Sequence, residues 1–199
     1  MTFPSSPAHH PAPPTHSLPY PQHGAAAAAP AVAPDPSLAE RYELITRLGL
    51  PTQAHPDFDK FARTMTEQTG LLYGFVNLFL GQQTFVGLHQ PPAGSGHVTI
   101  GRTMSVDHGW CPEVVDRKKA LPLPDVHASP RFAGNHVVDA VGIRAYFGAP
   151  LIHDSGTVLG TVCVIDPDKR SLSDARRLRD IVIETGRDVM DHIANHYGH

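Results

Sequence analysis

Arg144-Ala-Tyr-Phe-Gly-Ala-Pro-Leu151, then Gly156-Thr-Val-Leu-Gly-Thr-Val-Cys-Val-Ile-Asp166, is the stretch that decides the fold. Ala145 to His153 and Thr157 to Asp166 are rich in β-branched and aromatic residues, which fit a pleated, half-buried surface. Asp154-Ser155-Gly156 between them is a tight polar turn. Two such runs joined by a glycine-containing loop read as a β-hairpin.

Upstream, Leu71 to Phe79 reads as another strand. Successive strand side chains point to opposite faces, so Tyr73, Phe75, Asn77 and Phe79 share one face and Leu72, Gly74, Val76 and Leu78 the other. A turn at Gly81-Gln82-Gln83 leads into Thr84 to Gln90, a second hairpin. Ala120 to Val126 holds a short strand, and Pro122 and Pro124 confine it to an edge.

Helices flank these strands. Leu38, Tyr42, Ile45 and Leu48 recur at three- and four-residue steps on one face, with Ser37 as N-cap and Gly49 as terminator. Pro56-Asp57 opens a second helix that Gly70 closes. A short helix starts near Gly109 or Trp110, with Pro112 in its first turn, where no backbone donor is needed. Ser129 to Arg131 is expected to form a helical turn, and Asn135 to Val141 an irregular segment or short helix. Ser173 is the expected cap of a final helix whose apolar stripe is Leu178, Ile181, Val182, Val189, Ile193 and Tyr197. Strands in hairpins with helices at the ends predict an α+β fold with a mainly antiparallel sheet.

Composition divides the 199 residues in two. Residues 1–37 hold ten of the twenty prolines, an alanine run and one charged residue, Asp35. Such a segment buries too little apolar surface to offset its ordering entropy, so a disordered tail is expected there. Its histidines His9, His10, His16 and His23 are irregularly spaced, as incidental composition would be. Residues 38–199 are long enough for one well-filled core.

The net charge of −3 argues against a nucleic-acid surface. Arg176, Arg177 and Arg179 are interleaved with Asp174, Asp180 and Glu184, as on a solvated helix face. No run approaches the roughly 18 apolar residues of a membrane span, and the start of the chain lacks the basic and apolar regions of a secretory signal. Two cysteines, Cys111 and Cys163, make no disulfide framework. A cytoplasmic protein with reduced thiols is expected.

Four pieces carry a family resemblance across some 150 residues, from about Tyr42 to Ile193. They are Phe58-Asp59 with Val76-Asn77-Leu78; Gly109-Trp110-Cys111 leading into Val114-Val115; Leu123-Pro124-Asp125-Val126 with Pro130-Arg131-Phe132; and Gly142 to Leu151 with Gly160 to Asp166. In this order they resemble a GAF domain of the bacterial signalling type. The resemblance implies a sheet of five or six antiparallel strands, terminal helices on one face, and ligand-pocket loops with short helices on the other. It also implies a homodimer through the first and last helices. No kinase, cyclase or DNA-binding sequence follows the final helix, so output is expected to pass through that dimer or a partner.

The ligand-binding set expected on this basis is Phe75, Asn77, Phe85, His108, Trp110, Cys111, Asp125, Arg131, Phe132, Arg144 and Tyr146. The aromatics line an apolar cavity or form plain core, and Asp125 and Arg144 contact a ligand or pair with each other. Cys111, near a helix N-terminus, is either a redox thiol or a packing residue. One GAF branch reduces free methionine sulfoxide with a cysteine resembling Cys111 and an essential second one, for which Phe132 to His136 offers no counterpart. Cys163 resembles a core position. The Asn-Lys…Phe…Asp-Glu constellation of cyclic-nucleotide binders is absent, Pro112 replaces the histidine expected after a bilin-bearing cysteine, and no histidine is singled out for haem. His192 and His196 share a helix face, but a zinc site needs further ligands. The expected protein is a non-catalytic small-molecule sensor with no metal. The alternatives are a ligand-free dimerisation module and the methionine sulfoxide reductase.

Overall fold

A computed structural model describes residues 36–198; residues 1–35, with the four histidines of the proline-rich segment, lie outside the described residues. The elements run α1 (Pro36–Leu48), α2 (Pro56–Thr69), β1 (Tyr73–Phe79), β2 (Gln83–His89), β3 (Thr103–Met104), α3 (Cys111–Arg117), β4 (Leu121–Leu123), a 3-10 turn (Val126–Ala128), α4 (Pro130–Ala133), α5 (His136–Val141), β5 (Ala145–Ile152), β6 (Val158–Asp166) and α6 (Leu172–His196). The six strands form one sheet in the order β3-β2-β1-β6-β5-β4. Every neighbouring pair is antiparallel.

The sheet is buried on both sides. On one face Val76, Leu78, Val86, Phe147, Ala149, Leu151, Val162 and Val164 pack with Leu44 and Ile45 of α1, Phe58 and Met65 of α2, and Leu178, Val182, Val189 and Ile193 of α6. On the other, Tyr73, Phe75, Phe79, Phe85, Tyr146, Cys163 and Ile165 meet Trp110, Cys111, Val114 and Val115 at α3 and Val137 of α5. This is the two-face division that the alternation along β1 predicts. Burying an aromatic such as Phe58, 1% exposed, contributes about 1.5–3 kcal/mol.

Three local features differ from the sequence reading. The cap of α6 is Ser171, whose Oγ accepts the Asp174 N–H at 3.1 Å and donates to the Asp174 carboxylate at 2.7 Å. Ser173, the expected cap, lies one residue inside the helix. An acceptor at the third helical position makes the reciprocal pair, and Ser171–Asp174 has it whereas Ser173–Arg176 does not. Strand β3 was not anticipated: two residues carry no periodicity, and only pairing of Gln83 with Met104 and Thr84 with Thr103 defines it. Helix α1 begins at Pro36, two residues before Leu38, because proline suits a first turn.

His192 of α6 lies against Phe58 and Phe61 of α2, with His196 stacked on it at 4.3 Å. Its buried Nε2 has no hydrogen-bond partner among the described residues and stands 3.8 Å from Asp57. Burial, then the His196 and His55 rings, hold its pKa below the usual 6.5, while the Asp57 carboxylate pulls the other way. A depressed imidazole pKa means the unfolded chain binds the proton first. This stability is full above about pH 6.5 and is lost as pH falls toward the folded pKa. His192→Gln is expected to flatten the pH dependence of Tm in that window, read by thermal denaturation across it.

Candidate functional site

Beneath α3 and α5 the open face of the sheet encloses a cavity of about 140 Å³. Phe75 of β1, Phe85 of β2, Tyr146 of β5, and Cys163 and Ile165 of β6 form its floor. Ile100, Met104, Gly109, Trp110 and Cys111 form one wall, and His136, Val137, Ala140 and Val141 of α5 the other. His136 and Ala140 are exposed, so the cavity reaches solvent along α5.

Two buried amides hold the wall in place. Asn77 Nδ2 donates to Gln83 Oε1 at 2.9 Å. Gln83 Nε2 in turn donates to the carbonyls of Ser105 and His108, both at 2.7 Å, which ties the 105–109 loop to β2. Asn135 clamps the end of that loop: its Oδ1 accepts from Gly109 N and Val137 N, each at 3.1 Å, and its Nδ2 donates to the Gly109 carbonyl at 2.8 Å. Gly109 has φ +75, a backbone state that side chains rarely adopt. Asn135→Ala removes three hydrogen bonds and the cap of α5. It is expected to cost about 1–3 kcal/mol in urea denaturation and to speed hydrogen exchange across 105–110.

At the deep end, Cys111 Sγ lies 3.6 Å from Cys163 Sγ. Tyr146 Oη donates to Cys111 Sγ at 3.4 Å. Both cysteines are free and buried. Asn77 Oδ1 and Thr161 Oγ1 are buried beside them with no hydrogen-bond partner among the described residues. The Cys163 hydrogen bond, with smaller help from Thr161, Tyr146 and Asn77, outweighs burial and holds the Cys111 thiol below its usual value, to about 7. The Cys163 and Tyr146 groups are pushed up, Cys163 by sharing that hydrogen bond and by burial, Tyr146 by burial first. The cavity is apolar with one polar corner.

Of the eleven residues expected from sequence, Phe75, Phe85, Trp110, Cys111 and Tyr146 line this cavity. Asn77 is fully buried next to Cys111 rather than in the lining. His108 stacks on the outer side of the site against His136, at 4.3 Å. Asp125 and Arg144 pair at 2.8 Å, and Asp125 also caps the 3-10 turn through His127 N. The Arg144 guanidinium holds the Asp125 carboxyl below its usual range. Arg131 binds Glu113 of α3 at 2.6 Å and lies over Phe132. Phe132 gives its carbonyl to Trp110 Nε1 at 3.2 Å. Asp125, Arg131, Phe132 and Arg144 lie outside the lining of this cavity, and of the two alternatives left open for Asp125 and Arg144 the structure shows the pair.

The sequence reading missed Ile100, Met104, Gly109, His136, Val137, Ala140, Val141, Cys163 and Ile165 in the lining. Strand alternation put Cys163 and Ile165 on one face, which was a usable signal. Short helices over this face are implied by the family resemblance alone; no spacing in residues 136–141 places α5 there. No group of three or more histidine, cysteine or acidic residues is placed to hold a metal ion among the described residues. No helix there is long and apolar enough to cross a membrane.

One antiparallel sheet, with helices behind it and a cavity in front, defines an α+β domain. The chain matches the GAF domain family over residues 55–196 and belongs to it. No curated protein matches it. Among solved structures, it is similar to the GAF domain of an Acinetobacter phosphoenolpyruvate-protein phosphotransferase, with 14% identity and a TM-score of 0.53 over 79% of this chain and 92% of that one. It is similar to the free methionine-R-sulfoxide reductase of Neisseria meningitidis, solved with its substrate, with 16% identity and a TM-score of 0.51 over 82% and 95%. The chromophore-binding domain of a bacteriophytochrome from R. palustris gives 13% identity and a TM-score of 0.57 over 79% and 60%. At these identities the likeness concerns the fold.

Proposed function

We propose that this domain is a non-catalytic cytoplasmic sensor of a small, mainly apolar molecule. The observation that carries the reading is the cavity itself: apolar walls, a polar corner at Cys111, Cys163 and Tyr146, and an opening beside His136. An enclosed apolar space of about 150 Å³ admits a guest the size of benzene. At 140 Å³ the site fits a single ring or a short branched chain. Native mass spectrometry of the freshly purified chain, followed by thermal shift against small aryl and aliphatic compounds, tests this. A panel that leaves Tm unmoved counts against it.

Output is proposed to pass through a homodimer that uses the outward faces of α1 and α6. The stripe of α6 is not available for this, because Leu178, Val182, Val189 and Ile193 are spent on the protein's own sheet. Pairing would use what remains outward, including Tyr42, 58% exposed. A guest favours one dimer arrangement only by its difference in affinity between the two.

A second reading, a thiol reductase acting on a sulfoxide, is favoured by one observation: a resolving thiol does stand within reach of Cys111. Turnover of free methionine sulfoxide by the wild-type chain distinguishes it from the sensor.

A further inference from the structure

We propose that Cys111 and Cys163 form a peroxide-responsive dithiol that closes to an intramolecular disulfide inside the cavity. The two sulfurs come from α3 and β6, 52 residues apart in the chain, and already touch at 3.6 Å. A disulfide needs about 2.05 Å, so closure asks for an approach of roughly 1.5 Å. Cys111 opens helix α3, which has only seven residues.

Access is selective. Both cysteines are buried, at 4% and 3% exposure, yet both line a cavity that opens beside His136 and Ala140. A hydroperoxide with a small substituent fits that space; a bulky oxidant does not. The chemistry balances with such a hydroperoxide as the oxidant. The Cys111 thiolate attacks the outer peroxide oxygen, the O–O bond breaks, and the alcohol or water leaves with a proton. Cys111 is now a sulfenic acid, oxidised by two electrons as the peroxide is reduced. The Cys163 sulfur then attacks the Cys111 sulfur, the S–O bond breaks, and water leaves carrying the Cys163 proton.

The surroundings suit each step. Tyr146 Oη donates toward Cys111, and the Cys163 sulfur stands within reach of it, which favours the Cys111 thiolate as the attacking species. Asn77 and Thr161 are buried beside Cys111, where a sulfenic hydroxyl would find polar neighbours.

The chain has two cysteines in all, so the readout is unambiguous. The reduced full-length protein is treated with near-stoichiometric hydrogen peroxide, denatured, and its thiols counted and its mass measured. Expected is a fall from two titratable thiols to none, a loss of two hydrogens and a chain that stays single on a non-reducing gel. A peptide joining Cys111 to Cys163 is expected in the digest. Cys163→Ser is expected to stop at a Cys111 sulfenic acid trapped by a dione reagent, and Cys111→Ser to resist oxidation. Two thiols remaining after peroxide, or oxidation ending in linked chains or a sulfinic acid in the wild type, overturns the proposal without recourse to the variants. Disulfide formation with free methionine sulfoxide but not with peroxide also overturns it, in favour of the reductase reading.

Discussion

Gly160→Ala is expected to destabilise the domain by more than about 3 kcal/mol, enough to leave much of the protein unfolded. Gly160 sits in β6 opposite Leu78 of β1. A methyl group there would overlap the backbone carbonyl of Asn77 and stand 2.9 Å from Leu78 Cα. Both obstacles are main chain in the centre of the sheet, so neither can rotate away. Relief requires β1 and β6 to separate, which sacrifices ladder hydrogen bonds in the middle of a doubly buried sheet. It would also displace Asn77, the residue that supports Gln83 and so the cavity wall. Gly81→Ala is the control. It lies in the β1–β2 turn with nothing within 4 Å of the added methyl, and is expected to change stability by less than about 0.5 kcal/mol. Urea denaturation of the three proteins makes the comparison. Near-equal midpoints would mean that the strand contact at Gly160 is looser than the structure has it.

The second large effect belongs to the cavity. A guest at about 100 times its dissociation constant stabilises the folded chain by about 2.7 kcal/mol. For a domain of this size that is a rise in Tm of about 5–10 °C. Val137→Phe is expected to abolish the rise. Val137 projects from α5 into the cavity wall and is 8% exposed, so the larger ring enters the empty volume rather than solvent. Filling an existing void costs the apo protein little, and its own Tm is expected to hold or increase. This separates a blocked site from a damaged fold. A thermal shift that survives Val137→Phe undiminished would place the guest elsewhere.

The thiol pair and the cavity act on the same ground. Cys111 and Cys163 are lining residues, so drawing their sulfurs together moves α3 relative to β6 at the deep end of the guest site. Trp110, the single tryptophan, precedes Cys111 and packs on Tyr146 with ring centres 5.3 Å apart. Its emission is a natural reporter for both events.

The chain's own pattern determined the α+β class, the two strongest strands and the division of β1 into two faces. These follow from local rules: β-branched residues in runs, alternation with period two, and glycine or proline at the turns. Sequence leaves Phe75, Phe85, Trp110, Phe132 and Tyr146 as cavity lining or plain core, and all but Phe132 line the cavity. Tertiary structure decided the rest. It alone brought Cys111 within 3.6 Å of Cys163 across 52 residues, because a contact between a helix start and a strand centre leaves no periodic trace. It chose the pair between the two alternatives left open for Asp125 and Arg144, and it alone joined Arg131 to Glu113. And it laid α5, six unremarkable residues, over the open face of the sheet. Which surfaces meet is set by packing of the whole chain, and sequence spacing encodes only the neighbours along it.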